Sequence, residues 1–426
     1  MRPVNIGLIG LGTVGGGLVE ILRNHHDDLV KHQGVDIRLT KCSSRRIESA
    51  QRLGLEDIFV QDANDLITDP DIDIVVELVG GTGAAKEYVL SALEAGKHVV
   101  TANKALMASY GKQVFDAAER NGVSVMFGAS VGGGIPIIGP LKHSLTGNRI
   151  DTVMGIINGT TNYMLTRMGE DCLSYMDALR EAQHKGFAEA NPSADVEGHD
   201  AAAKIAILAS IAFNTRITLD DVYTEGITQI TPLDLEFASE MGYSVKLLAI
   251  AQRTPKGIDV RVHPAMLPID HPLSSVNGVF NAIYVIGDAV GETMFFGRGA
   301  GSGPAASAVI GDIIEVAKEI TDGIETFRGC TCTDEYPLAP IKDLECKYYI
   351  RIPVIDQPGV FAAIANIFGD HRISIASCVQ RGGDGRTTDM VVITHKAQES
   401  AVEEALSDMV ETYCVISEPQ MIRLVE

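Results

Sequence analysis

The chain has 426 residues, enough for two or three domains that each build their own core, and a hydrophobic content of 46% with 21% charged residues fits a globular protein. No apolar run reaches the length of a membrane span, and a net charge of −21 argues against a nucleic-acid partner or an anionic membrane surface. Seven scattered cysteines, among them Cys330 and Cys332 in a CxC without a second ligand pair, point to reduced thiols in the cytoplasm and away from zinc.

Residues 4–9 form a short apolar strand, read as a strand and not as a signal peptide. It runs into Gly10-Leu11-Gly12-Thr13-Val14-Gly15, with a helix pattern over 14–23. The glycines allow a tight turn and close approach of the backbone to a pyrophosphate, which the helix N-terminus then faces. Gly10, Gly12, Thr13, Val14 and Gly15 are therefore candidate dinucleotide contacts; the competing reading is a plain glycine turn. A second strand over 36–42 ends at Ser43-Ser44-Arg45-Arg46, where NAD binders place an acidic residue on the ribose. Arg45 suits a 2′-phosphate, which favours NADP over NAD, unless the pair is only a solvated basic turn.

Further βα units follow. A strand over 73–79 ends at Gly80-Gly81-Thr82-Gly83, a helix covers 84–95, and a strand covers 98–101. Parallel sheets bind ligands beyond the carboxyl ends of their strands, so Gly80 and Lys104 are placed to reach cofactor or substrate. After a helix (106–121) and a strand (123–127), Gly128 to Pro136 is a glycine-rich junction whose backbone carbonyls can face a cation.

The middle of the chain reads as α+β. A strand over 151–157 leads to the polar turn Asn158-Gly159-Thr160-Thr161-Asn162, a candidate ligand contact or simply a turn. Strands are expected at 218–223, 227–230, 244–252, 259–264, 278–292 and 293–296, with a helix at 232–241. A second glycine-rich loop, Gly297 to Pro304 and including Gly303, enters a long helix over 305–320 that should return to the nucleotide domain near the cofactor.

The stretch Phe187 to Phe213 organises the rest. From Ala201 it is a helix of Ala, Ile and Leu with Lys204 in its middle. Asp200 precedes Lys204 by four residues, on the same face, and suits an N-cap or first turn. Glu189, Asp195 and Glu197 crowd the loop before it. A lysine in an apolar helix either snorkels from a surface stripe or is a partly buried ammonium that delivers a proton beside carboxylates that hold a polar substrate.

Residues 321–345 carry little pattern and read as a linker. Beyond them, strand, helix, strand, a turn at Gly382-Gly383-Asp384-Gly385, strand, helix (397–412) and a last strand over 414–423 make a βαββαβ, ferredoxin-like unit. The expected plan is a Rossmann-type nucleotide domain (1–130, completed by 305–330), an α+β substrate and dimerisation domain (131–304), a linker (331–346) and a ferredoxin-like domain (347–426).

The motifs GLGTVGGG, GKHVVTANKALMA, ASVGGGIPII, GIINGTTNYML, ADVEGHDAAAKIAILA, GRGAGSGPAASAVIGDI and IDQPGVFAAIANIF together resemble homoserine dehydrogenases that carry a C-terminal ACT domain. The resemblance implies reduction of aspartate 4-semialdehyde to homoserine by NAD(P)H, on the route to threonine and methionine. It implies Lys204 as proton donor, Asp200 beside the substrate, and Lys104 between nicotinamide and substrate. Gly159, Thr160, Glu189 and Asp195 become substrate-binding positions. It further implies a structural sodium ion on the carbonyls of Val131, Gly133 and Ile135, a threonine effector at Asp356 to Gly359, and a homodimer or homotetramer. Two positions depart from the pattern: Gly128 stands where the family usually has a metal-binding Glu, and Phe187 where a Tyr is frequent. The rival readings are another NADP-dependent oxidoreductase of amino-acid metabolism and a non-catalytic metabolite sensor.

Overall fold

The computed structural model describes residues 2–323, 329–380 and 385–425. Contacts divide the chain into two compact units, each assembled from non-consecutive segments. The first comprises Met1–Gly159, Ala201–Val222 and Phe280–Tyr336; the second comprises Thr160–Asp200, Tyr223–Val279 and Pro337–Glu426.

In the first unit six parallel strands form a sheet: β1 (Pro3–Ile9), β2 (Asp36–Ser43), β3 (Phe59–Val60), β4 (Ile74–Glu77), β5 (His98–Thr101) and β6 (Val125–Met126). Their order is β3-β2-β1-β4-β5-β6, so the direction of winding reverses between β1 and β4, beside Gly10. Every residue of β4 is buried, as a strand covered on both faces requires. The first helix is longer than its apolar pattern: it runs Thr13–Asp28, continues as a π-turn Leu29–Gln33, and stops at left-handed Gly34. The helix Ser302–Asp322 packs on it at Gly17, where a Cβ would lie 2.5 Å from Ser302 Oγ.

The same unit holds three antiparallel strands, Ile150–Ile156, Phe280–Gly287 and Gly291–Arg298. The strand expected over 278–292 breaks at 288–290, where Asp288 Oδ1 accepts from Arg149 N at 2.9 Å and Gly291 takes φ +69. Residues 324–328 of the expected linker lie outside the described residues. Residues 329–336 are tied to this unit through the Asp334 N–H on Asn214 O (2.9 Å).

In the second unit the hairpin Tyr243–Thr254 and Gly257–Pro268 is the longest pairing. The strands expected at 218–223 and 227–230 shrink to Tyr223–Thr224. Residues 227–230 are held otherwise: Ile227 N–H donates to Val196 O at 2.8 Å, and Gly226 lies so close that a Cβ would meet that oxygen. The ferredoxin-like portion has strands Glu345–Ile355, Ile375–Gln380, Thr387–Thr394 and Gln420–Leu424, the last starting later than expected, and helices Val360–Asp370 and Glu399–Val410. Its core gathers Tyr348, Ile350, Ile352, Val360, Ile364 and Phe368. The expected turn at Gly382, Gly383 and Asp384 lies outside the described residues. Gln420–Leu424 pairs antiparallel with Glu345–Ile355 on one side and parallel with Gly257–Pro268 on the other, so the long hairpin and the ferredoxin-like strands share one sheet.

Candidate functional site

At the end of β1, Gly10 takes φ +106, and a Cβ there would sit 2.7 Å from the Leu78 carbonyl. A Cβ on Gly15 would collide with Gly10 O, whereas Gly12 faces open space. These are the three roles a pyrophosphate turn needs: a tight bend, helix–strand contact, and an unobstructed backbone. The helix that follows begins at Thr13 and Val14 with no side-chain cap, so its first-turn N–H groups are available to an anion. Gly10 N–H donates to Ser43 O (2.9 Å), which brings the end of β2 to the turn, with Arg45 and Arg46 exposed just beyond it. The residues present therefore fit a dinucleotide.

A carboxylate that the sequence reading passed over anchors the next two loops. Glu77, wholly buried at the end of β4, accepts from Val79 N (2.7 Å) and Gly80 N (2.8 Å) through Oε1. Its Oε2 accepts from Thr101 Oγ1 (2.7 Å) and Asn103 Nδ2 (3.4 Å). Asn103 also donates to Gly81 O and caps the helix Lys104–Asn121 by accepting from Leu106 N. Gly80 and half-buried Lys104 are thus fixed through one buried acid. A lone Glu inside an apolar strand was the available signal.

The two glycine-rich loops press together backbone to backbone. Gly134 N–H donates to Arg298 O at 3.1 Å, and a Cβ on Gly133 would meet Gly299 O. Ser302 Oγ donates to Thr13 O (2.8 Å), which joins the second loop to the nucleotide turn; Gly303 beside it faces open space. Val131 and Ile135 are buried in this junction. At Gly128 the backbone N–H donates to Asp312 Oδ2 (2.7 Å), and burial pushes that carboxyl up to about 8. Among the described residues no cluster of three or more His, Cys, Asp or Glu side chains is arranged to hold a metal.

The helix His199–Phe213 carries Lys204 and Asp200. It starts before Ala201, so Asp200 sits in its first turn rather than at the N-cap. Ile205, Ala206, Leu208 and Ala209 are fully buried, and Lys204 among them is only 8% exposed. The Lys204 Nζ donates to Ile157 O at 2.7 Å, just before the Asn158-Gly159-Thr160 turn. Asp200 is 7% exposed. In the second unit Thr160 Oγ1 donates to Phe187 O at 2.6 Å, and the Phe187 ring meets Tyr163 edge-on. Glu189 is exposed, its carbonyl held by Gln183 Nε2, and Asp195 is half-buried in the short helix Ser193–Val196. A second buried lysine, Lys246, went unnoticed in sequence; it donates to Val276 O and Asn277 Oδ1, both at 2.7 Å. In the ferredoxin-like portion exposed Asp356 and left-handed Gly359 lead into the helix Val360–Asp370.

A homoserine dehydrogenase family model matches residues 136–314, the NAD-binding domain model of homoserine dehydrogenase matches 10–128, and an ACT domain model matches 348–411. A homoserine dehydrogenase of Neisseria gonorrhoeae is 41% identical, covering 100% of this chain and 99% of its own. The chain belongs to the homoserine dehydrogenase family. It is an oxidoreductase with an NAD-binding domain and a C-terminal ACT domain. A homoserine dehydrogenase from Thiobacillus denitrificans superposes with a TM-score of 0.95 at 41% identity, over 100% of this chain and 99% of that one. A hyperthermophilic archaeal homoserine dehydrogenase in complex with NADPH superposes with a TM-score of 0.65 at 27% identity, over 77% of this chain and 100% of that one. Among the described residues no helix is long and apolar enough to cross a membrane.

Proposed function

We propose that the chain reduces L-aspartate 4-semialdehyde to L-homoserine with NADPH in preference to NADH, with Lys204 as the proton donor. The observation that carries this reading is the burial of Lys204, with its Nζ on Ile157 O beside the Gly159 turn. When bound in the crevice at Gly10 to Gly15, a nicotinamide would supply hydride to the aldehyde carbon. Negative charge then grows on the aldehyde oxygen, where Lys204 delivers a proton and Lys104 adds positive charge. Asp200 orients the Lys204 amine, and Glu189, Asp195 and the Gly159–Thr160 turn hold the polar end of the substrate. Arg45 and Arg46 would hold the 2′-phosphate; the NADPH-bound archaeal structure supports that choice.

The functional segments in this reading are 1–130 with 305–330 for the dinucleotide, 131–304 for substrate and subunit pairing, and 347–426 for regulation. Threonine at Asp356 and Gly359 is the proposed effector, and a homodimer or homotetramer the proposed assembly. The carbonyls of Val131, Gly133 and Ile135 are the proposed ligands of a sodium ion. The test is steady-state turnover of Lys204→Ala and Asp200→Ala beside cofactor titration. The expected result for Lys204→Ala is a fall of about 10²–10⁴ in kcat with dinucleotide affinity unchanged. Near-normal turnover would reassign the proton donor. Homoserine oxidation compared with other amino alcohols separates this substrate from its rivals.

A further inference from the structure

Away from the catalytic helix's N-terminal turn, the first unit holds a second cluster of reactive groups. Cys330 is exposed, and its Sγ accepts from Arg216 Nη2 at 2.9 Å. The Cys332 backbone N–H points at the same sulfur (3.5 Å). Lys142 reaches the adjacent Gly329 O with its Nζ at 2.5 Å, over the faces of Phe115 and Phe127. Cys332 is less exposed and donates its S–H to Ser210 O at 3.6 Å, on the helix that carries Lys204.

We infer that Cys330 and Cys332 form a peroxide-reactive dithiol, in which Cys330 is the attacking sulfur and Cys332 the resolving one. The site needs three things, and the geometry supplies each. The attacking sulfur must be reachable and must carry negative charge, which a guanidinium, an ammonium and a backbone N–H around Cys330 favour. A second thiol must stand within reach, and the chain folds Cys332 back so that its backbone N–H lies 3.5 Å from the Cys330 sulfur. That second thiol must keep its proton until it is needed, and it shares that proton between the Ser210 carbonyl and the Cys330 sulfur. The titration behaviour agrees: hydrogen bonding from the Cys332 side chain and backbone, then the charges of Arg216 and Lys142, holds Cys330 well below the ordinary thiol range against the upward push of burial. Its partner Cys332 is raised, by sharing that hydrogen bond and by burial.

The chemistry balances with one hydroperoxide. The Cys330 thiolate attacks the nearer oxygen, the O–O bond breaks, sulfur is oxidised to sulfenic acid, and the departing oxygen takes up a solvent proton as alcohol or water. The Cys332 sulfur then attacks Cys330 sulfur, the S–O bond breaks, and the Cys332 proton leaves with the hydroxide as water. The product is a Cys330–Cys332 disulfide. No step depends on the catalytic reading given above.

The test uses the full-length protein and follows iodoacetamide labelling of the peptide holding both cysteines by mass spectrometry from pH 5.5 to 9. N-acetylcysteine is the reference thiol. A free thiol of ordinary pKa, near 8.5, labels about tenfold faster per pH unit until it ionises. Cys330 is expected to level off below pH 7, and Arg216→Gln to move that plateau upward. Hydrogen peroxide should remove two hydrogens from the peptide in the wild type, and Cys332→Ser should instead give a dimedone adduct on Cys330. A Cys330 rate that climbs tenfold per unit through pH 8 would overturn the assignment. So would peroxide that oxidises exposed Cys172 while leaving Cys330 and Cys332 as thiols.

Discussion

Replacing Glu77 by Ala tests whether one buried acid sets the mouth of the nucleotide crevice. The change removes the acceptor for Val79 N, Gly80 N and Thr101 Oγ1, at 2.7, 2.8 and 2.7 Å, and weakens the hold on Asn103. Each buried donor left without an acceptor costs about 1–3 kcal/mol. Relief from burying a carboxylate offsets part of that sum, so a net loss of about 3 kcal/mol is expected. At about 2–4 °C per kcal/mol for a unit of this size, calorimetry should show Tm falling by roughly 6–12 °C. Glu77→Gln should fall between the two, because its remaining carbonyl still serves Val79 and Gly80 while its amide opposes that of Asn103. The KM for the dinucleotide should rise in both variants, since the Gly80 loop loses its tether. A Glu77→Ala protein that melts within a degree of the wild type would refute the assignment of Glu77 as the anchor.

Gly17→Val should lower stability by about 1–3 kcal/mol, read by thermal melting, because its branch has no room against Ser302 and Ala306. Burial raises the Asp312 carboxyl to about 8 from an unfolded value near 3.9, so its contribution is complete below about pH 4 and is lost as pH rises through 8. Between pH 5 and 9 the wild type should therefore lose stability relative to Asp312→Asn, by on the order of 4 kcal/mol at most, in paired melts across that range. Arg423→Ala should cost about 3–5 kcal/mol, because it strips the guanidinium from fully buried Glu399 and from Glu225; denaturant melts measure it. Charge reversal at Arg45 and Arg46 should weaken NADPH far more than NADH in parallel titrations, and equal losses would remove the 2′-phosphate reading.

The nucleotide half was readable because its signals are local. A glycine turn between a short apolar strand and a helix needs no distant partner to be recognised, and Gly10, Gly12 and Gly15 have the separate surroundings that the spacing implies. Contacts far apart in the chain were not readable. Lys204 and Lys246 both sit in apolar runs, and sequence singled out only the first, because Asp200 stands four residues before it while Lys246 has no acid at that spacing and binds Val276 and Asn277, 30 and 31 residues away. Glu77 shows the same limit: a lone acid in a strand buried on both faces was visible, but its partners Thr101 and Asn103, 24 and 26 residues away, were not. Residues 227–230, Ile-Thr-Gln-Ile, begin and end on Ile with a β-branched Thr between, but their first residue bonds to Val196. The start of the Lys204 helix slipped from Ala201 to His199 because polar first-turn residues carry no periodic signal.

Gln420–Leu424 is the last strand among the described residues, yet it lines up in parallel with Gly257–Pro268, more than a hundred and fifty positions earlier. During synthesis the earlier strand emerges from the ribosome with that edge incomplete along Ala265 and Met266 until Gln420–Leu424 has been made. A premature stop anywhere before Gln420 would leave that edge unpaired inside the sheet.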